Sequence, residues 1–303
     1  MAGAKVLVVG AGVIGRIYAA RLAAAGSDVD LLARGRTLSN LAAGALTLHT
    51  NGRSTTQQIS VLQAPRAHYD TAFVTVRRDQ IDAALDLVTR VHCDHVVPLC
   101  NNPLGVDTLR ERIGAERLIA GFPGVGGYLN SDESVTYLQI RQQPTTLERR
   151  GGAERATAEL LTGAGFTVAW TDHMADWLAT HALFVTTVCA ALDRANYDAP
   201  TLAHDRAVMH DFVRATRSGI RALRRRGIAV APAALVFLFT RTPTEFAARY
   251  WSRLLRGPLG TVALAPHARA TRDTEIAALR TDVRFLLPSG AAPDLDTFVY
   301  AGR

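Results

Sequence analysis

The sequence predicts two halves of different kind: an α/β domain built on a parallel sheet over residues 1–170, then an all-α domain over 171–303. Three observations predict this. An apolar strand from Lys5 runs straight into Gly-x-Gly-x-x-Gly at Gly10, Gly12 and Gly15. Strand-like and helix-like segments then alternate, the pattern of a parallel sheet flanked by helices. From Asp172 strand signals nearly vanish and long helical patterns follow. At 303 residues and 48% hydrophobic, the chain can bury a large core and divide in two.

Strands are expected at Val6–Val9, Val29–Ala33, Ala72–Val76, His95–Leu99 and Leu118–Ala120. Helices are expected at Val13–Ala25, Asp79–Val91 and Val106–Ile113 between them. Val135–Ile140 and Thr145–Glu148 read as an antiparallel addition, joined by a turn in the polar run Arg141–Thr146. Ala153–Ala164 reads as a helix before the strand Phe166–Trp170. The second half reads as helices Asp172–Arg194, Ala203–Arg226, Pro232–Thr240, Thr244–Leu255 and Thr271–Leu287, with Pro232 at a helix start, where no N–H is needed. The tail Pro288–Arg303 reads as a loop.

Composition narrows the function classes. No apolar run stands out as a membrane span. The N-terminus has the make-up of a signal peptide, but three spaced glycines and Arg16 inside it suit a nucleotide loop better. Cys93, Cys100 and Cys189 have neither disulfide-framework nor metal-ligand spacing, so a reducing cytoplasm and no metal are expected. The net charge of +7 comes from 33 arginines and one lysine, scattered among acids, so no nucleic-acid partner is expected. Arg214, Arg217, Arg221 and Arg224 recur at helical spacing, as a solvated face or an anion site.

Each glycine of the first motif has a steric task if a dinucleotide binds. Gly10 permits the tight turn, Gly12 lets backbone approach a pyrophosphate, and Gly15 lets helix pack on strand. The first-turn N–H groups of Val13 and Ile14 and the positive helix end would face that pyrophosphate. The end of the second strand selects the nucleotide: an acid there holds a ribose hydroxyl, an arginine a 2′-phosphate. Here it reads Leu31-Leu32-Ala33-Arg34, with Asp30 inside the strand, so Arg34 predicts NADP. Arg36 is either a second contact or a surface residue. Arg77 and Asn101 follow two later strand ends, where ligands of open α/β sheets bind. Each is either a cofactor ligand or a turn residue. The glycine run 121–127 either approaches the nicotinamide ribose or forms a mobile loop.

These pieces in this order resemble the ketopantoate reductase family. The matching segments are Gly10/Gly12/Gly15, Arg34, Thr75-Val76-Arg77, Cys100-Asn101-Asn102 and Thr274-Glu275-Ile276, spread over nearly the whole chain. The resemblance implies a Rossmann-type domain, a helical second domain, and reduction by NADPH of a 2-keto acid bound between them. It also implies a lysine general acid two residues after a tryptophan in the first long helix of the second domain. Asparagines one and two turns later would position substrate, and the Thr-Glu-Ile glutamate would hold its hydroxyl.

Here the tryptophan is Trp177, so the lysine position falls on Ala179 and the asparagine positions on Leu183 and Thr187. The only lysine is Lys5. His181 is the first substitute, an imidazole that titrates near working pH, although about 200° around the helix from Ala179. Thr180 and Thr187 lie nearer that face, as hydrogen-bonding or packing residues. His267 stands eight residues before Glu275, where the family tends to have aspartate. The catalytic candidates are therefore His181, Glu275 and Thr187.

The expectation is an NADPH-dependent oxidoreductase reducing a keto acid, ketone or imine in an interdomain cleft, with a substrate less polar than ketopantoate or one bound by different anchors. Its partners would be a small-molecule substrate and, through the long apolar helices, a second copy of the chain. Two other classes stay open: a nucleotide-binding sensor or interaction subunit without turnover, and a non-redox isomerase or cyclase.

Overall fold

The computed structural model describes residues 3–152 and 154–301. The chain separates into two compact units, the first made of residues up to Cys100 and Gly105–Met174, the second of Asn101–Leu104 and Ala175–Arg303.

Unit 1 begins with β1 (Lys5–Val9), α1 (Val13–Ala24), β2 (Asp28–Leu32), α2 (Gly35–Asn40), β3 (Ala45–Thr50), β4 (Arg53–Gln58), β5 (Ser60–Leu62) and β6 (His68–Val74). It continues with α3 (Ile81–Val88), β7 (His92–Pro98), α4 (Val106–Ile113), β8 (Gly121–Phe122), β9 (Val125–Leu129), β10 (Val135–Gln139), β11 (Thr145–Glu148), α5 (Glu154–Gly163) and β12 (Val168–Thr171). The main sheet has the order β5-β2-β1-β6-β7, all parallel. Successive residues of its strands feed opposite faces. Val6, Val8, Leu31 and Phe73 pack with α1, while Leu7, Val9, Leu32 and Val74 pack with α3 and α4. Both faces being buried explains why these strands read as continuous apolar runs.

A four-stranded sheet β4-β3-β10-β9 and a three-stranded sheet β12-β11-β8 complete the unit. Residues 35–62 received no elements from the sequence, yet they fold as α2 and β3–β5. Asn51 and Gly52 have φ of 50° and 72° and close a two-residue hairpin between Thr50 and Arg53. The glycine run 121–127 is no loop throughout: it forms β8 and the start of β9. A Cβ on Gly124 would sit 2.2 Å from the Thr145 nitrogen, and one on Gly127 would sit 2.3 Å from the Thr136 oxygen. Leu118–Ala120 makes only an isolated bridge to Val96 rather than a strand.

Unit 2 contains α6 (Met174–Arg194, its first residue counted with unit 1), α7 (Ala199–His204), α8 (Arg206–Arg225), α9 (Ala233–Arg241), α10 (Thr244–Arg256), α11 (Ala265–Thr271), α12 (Glu275–Leu286) and α13 (Pro293–Leu295). The expected helix 203–226 is split at Asp205, whose carboxylate accepts from the Val208 N–H as an N-cap. The tail read as a loop is helical, α13 running into a π-turn at Asp296–Tyr300, with Phe298 and Val299 buried. Phe184, Phe212, Phe239 and Trp251 form the aromatic centre of this core.

The arginine row of α8 resolves into separate tasks. Arg217 donates to the carbonyls of Phe239 and Thr242 and to the Thr244 hydroxyl, closing the α9–α10 junction. Arg214 pairs with Asp211 on the surface. Helix α6 is long and apolar enough to cross a membrane, with mean hydropathy 1.4, and 89% of that window is buried within the protein. Its apolar length serves as core.

Candidate active site

The glycine loop sits between the carboxyl ends of β1 and β6, where strand order reverses: β2 and β5 lie to one side of β1, β6 and β7 to the other. Such a switch point leaves a crevice beyond the strand ends. Gly10 has φ of 110°, a conformation costly for any side chain. A Cβ on Gly15 would lie 1.8 Å from the Gly10 oxygen and 2.6 Å from Thr75 Oγ1, so helix α1 meets the loop too closely for alanine. The Thr75 hydroxyl donates to the carbonyls of Val9 and Gly10, pinning the turn to β6. A Cβ on Gly12 would meet nothing within 4 Å. That open side, a helix start with no side-chain cap, and a first turn free of acidic residues together fit a pyrophosphate at the N–H groups of Val13 and Ile14.

Sequence reasoning missed the support beneath this loop. Arg16, 1% exposed, donates from Nε to the Ala11 carbonyl at 2.9 Å. Its other nitrogens bind the Glu133 carbonyl and carboxylate, each at 2.7 Å. Glu133 adopts φ of 65° and also accepts from Asn40. The Arg16 guanidinium, followed by the Asn40 amide, holds the Glu133 carboxyl below the usual range. Nothing in the sequence pairs residues 16 and 133.

Arg34 is exposed just past β2, where it precedes α2, and no carboxylate pairs with it among the described residues. Asp30 is occupied elsewhere: it accepts from the Tyr69 hydroxyl at 2.8 Å and pairs with Arg66 at 3.0 Å. The inward burial of Asp30 leaves the basic residue as the group at this strand end. Arg77 follows β6, with Nε 3.5 Å from Asp79.

In unit 2 the structure gathers a different set. Asn101 donates from Nδ2 to Glu275 Oε1 at 2.9 Å, across 174 residues of sequence. Its Oδ1 is buried with no hydrogen-bond partner among the described residues. His267 lies 3.6 Å from the other Glu275 oxygen and is itself part-exposed. His181 stacks on Trp177 with ring centroids 5.1 Å apart. Burial, and secondarily the charge of His267, drives the His181 pKa down to about 3.

Thr187 does not join this group. Its hydroxyl donates to the Leu183 and Phe184 carbonyls and meets the Thr216 hydroxyl of α8 at 2.9 Å. Leu183, on the same stripe of α6, fills the space over Gly219 of α8. The Leu183–Thr187 stripe is thus part of a helix–helix seam, and Thr187 packs rather than facing a ligand. His181, on another face, is the α6 residue that feels His267.

Residues 6–151 match the model of the ketopantoate reductase family PanE/ApbA. Those residues therefore carry a domain of the ketopantoate reductase family. The matched stretch covers most of unit 1 and the Asn101–Leu104 segment of unit 2, and solved structures of similar fold extend over nearly the whole chain. The 2-dehydropantoate 2-reductase of Geobacter metallireducens is 18% identical, with TM-score 0.76 and 97% of each chain covered. A D-mandelate dehydrogenase, solved with NADH and anilino(oxo)acetate, is 14% identical at TM-score 0.73, covering 98% of this chain and 97% of that one. The dimeric ketopantoate reductase of Staphylococcus aureus is 13% identical at TM-score 0.67, covering 97% and 96%. At these identities the likeness is one of fold. No curated protein matches the sequence.

That family is one of NAD(P)-dependent oxidoreductases acting on keto groups. In unit 2, Asn101 places a buried acceptor beside Glu275.

Proposed function

We propose that the protein is an NADP(H)-dependent oxidoreductase that reduces the carbonyl of a small 2-keto acid or ketone, or the corresponding imine. The observation that carries this reading is the nucleotide loop at the β1/β6 switch point, with its open Gly12 side and the unpaired Arg34. The loop N–H groups would hold the pyrophosphate, and Arg34 would hold the 2′-phosphate through paired, charge-assisted hydrogen bonds. NADPH held there would supply the hydride for a carbonyl carbon, and the resulting alkoxide would need one proton to become the alcohol.

The Glu275 cluster supports an assignment of that proton. Ala179, at the position the family resemblance gives to lysine, is buried and carries no proton. His181 is held neutral far below working pH, so it cannot store the proton as imidazolium. His267 is the remaining imidazole of the cluster, part-exposed and 3.6 Å from a Glu275 carboxylate oxygen. In this reading His267 donates to the oxygen, Glu275 orients it, and Asn101 Oδ1 accepts from a substrate hydroxyl or amide. An unsatisfied buried acceptor costs about 1–3 kcal/mol, so a donor on the substrate would recover that and add selectivity.

Cys93, Cys100 and Cys189 are buried and not joined in disulfides, which supports a reducing compartment such as the cytoplasm. Phe237 and Phe246, both over half exposed, supply apolar surface of the kind a homodimer would cover.

The decisive experiment is titration with NADPH and with NADH by nicotinamide fluorescence, then turnover on a panel of 2-keto acids, ketones and imines. Tighter binding of NADPH together with its oxidation by at least one class is the expected result. Equal affinity for the two nucleotides removes the role of Arg34. Tight binding without turnover across the panel favours a nucleotide sensor.

A further inference from the structure

We propose a surface site for a divalent cation of borderline character, of the zinc or nickel kind, formed by His68, His92 and Asp94. One ligating atom from each lies within 4.8 Å of the others, the donor set grouped in this way among the described residues. The three come from two adjacent strands. His68 opens β6, His92 opens β7, and the two are direct partners in the parallel register. Asp94 follows His92 by two residues, so the period of the strand returns it to the same face. Tyr69 and Cys93, the residues between, point inward and are buried. The backbone of a sheet therefore presents all three donors on one side, with no loop to order first.

The distances suit a metal of that class. Imidazole nitrogen and carboxylate oxygen bind zinc at about 2.0–2.2 Å, which places neighbouring donors of a tetrahedron roughly 3.3–3.6 Å apart. His68 Nε2 and Asp94 Oδ1 are 3.5 Å apart, and the two imidazole rings have centroids 4.8 Å apart at 58°. Rotation of exposed side chains covers the remaining closure, because His68 and Asp94 are 43% and 53% exposed. Asp94 pairs with no arginine among the described residues, so the carboxylate is available to a cation. Two imidazoles and one carboxylate favour zinc or nickel over calcium or magnesium, which take oxygen donors. Three protein ligands leave the other positions to water.

This site is separate from the nucleotide loop. His68 and Val74 are opposite ends of β6, roughly 20 Å apart at the rise of an extended strand. A bound cation would cross-link the amino ends of β6 and β7 and bind the folded chain in preference to the unfolded one. It would therefore raise the unfolding temperature, by an amount that grows with the logarithm of its free concentration over Kd.

The test uses the full chain, free of any affinity tag and stripped with a chelator, titrated with zinc and separately with nickel by calorimetry. One ion per chain and a higher Tm with zinc are expected. His68→Ala and His92→Ala should each weaken binding about tenfold or more, the lower end of what disturbing a metal's surroundings costs. Asp94→Asn should weaken it as well, while His173→Ala, an exposed histidine outside the group, should bind as the parent does. No binding by the parent protein overturns the site. So does zinc affinity that survives both histidine substitutions in chains that still unfold cooperatively. Should either histidine variant fail to fold, the parent's stoichiometry and Asp94→Asn decide between these results.

Discussion

The nucleotide loop of unit 1 and the polar cluster of unit 2 are built by different physics. In the loop, function follows from what is absent: no Cβ at Gly10 and Gly15 where backbone crowds, and none at Gly12 where a ligand must approach. The chain there is fixed by local sterics plus one buried clamp, Arg16 to Glu133. In the cluster, function follows from what is present, three side chains whose chemistry depends on contacts over 8 to 174 residues. Local rules can be read from a few consecutive letters. Long-range pairings need the fold.

The comparison can be broken most severely in unit 2. Glu275→Gln and His267→Gln should each lower kcat by about 10²–10⁴, the usual contribution of a positioned acid or its partner, while NADPH affinity stays within a factor of two or so. A loss of nucleotide affinity as large as the loss of rate would make the cluster a folding element instead. The unit 1 counterpart is the glycine pair. Gly15→Ala drives a methyl into the Gly10 carbonyl and should cost about 3 kcal/mol of stability, seen as a lower denaturation midpoint. Gly12→Ala, with open space and φ of −79°, should unfold like the parent yet bind NADPH more weakly. Similar behaviour of the two alanines would refute the separation of packing glycine from ligand glycine.

A smaller effect sharpens the nucleotide choice. Arg34→Gln should weaken NADPH roughly tenfold to a hundredfold, the worth of about 1.5–3 kcal/mol in charge-assisted hydrogen bonds, and leave NADH unchanged. The smallest concerns His181. Its folded-state pKa near 3 lies below the ordinary imidazole value of 6.5, so the unfolded chain binds the extra proton between them. Stability should therefore fall as pH drops from about 6.5 toward 3, by at most about 1.4 kcal/mol per pH unit from this residue. His181→Leu should flatten that acid limb in urea titrations run across the window, with a much smaller loss of kcat than His267→Gln.

Much of unit 1 was legible. The expected strands of the parallel sheet fall on β1, β2, β6 and β7, because strands buried on both faces spell themselves as apolar runs. The β3–β4 hairpin carried a readable signal, Asn51-Gly52, that only its polar flanking strand obscured; β4 is almost entirely exposed. The tail defeated pattern reading for another reason. Its helical turns are short, and Phe298 and Val299 are buried by packing rather than by periodicity. In unit 2 the helices were visible while their rotation was not. The family resemblance puts its substrate-positioning asparagines at Leu183 and Thr187, yet this stripe turns toward α8, since Gly219 leaves room for Leu183 there.

The sequence by itself determined the parallel sheet, the glycine turn between β1 and α1, and an arginine just past the end of β2. Those follow from residue size, backbone freedom and strand period, which act over a few neighbours. Only the tertiary structure decided that Asp30 is occupied, that Arg16 props the loop, that Thr187 packs, and that Asn101 and His267 meet at Glu275. Each of these depends on which faces of distant elements turn toward one another. That is settled by the burial of whole cores, not by any segment alone.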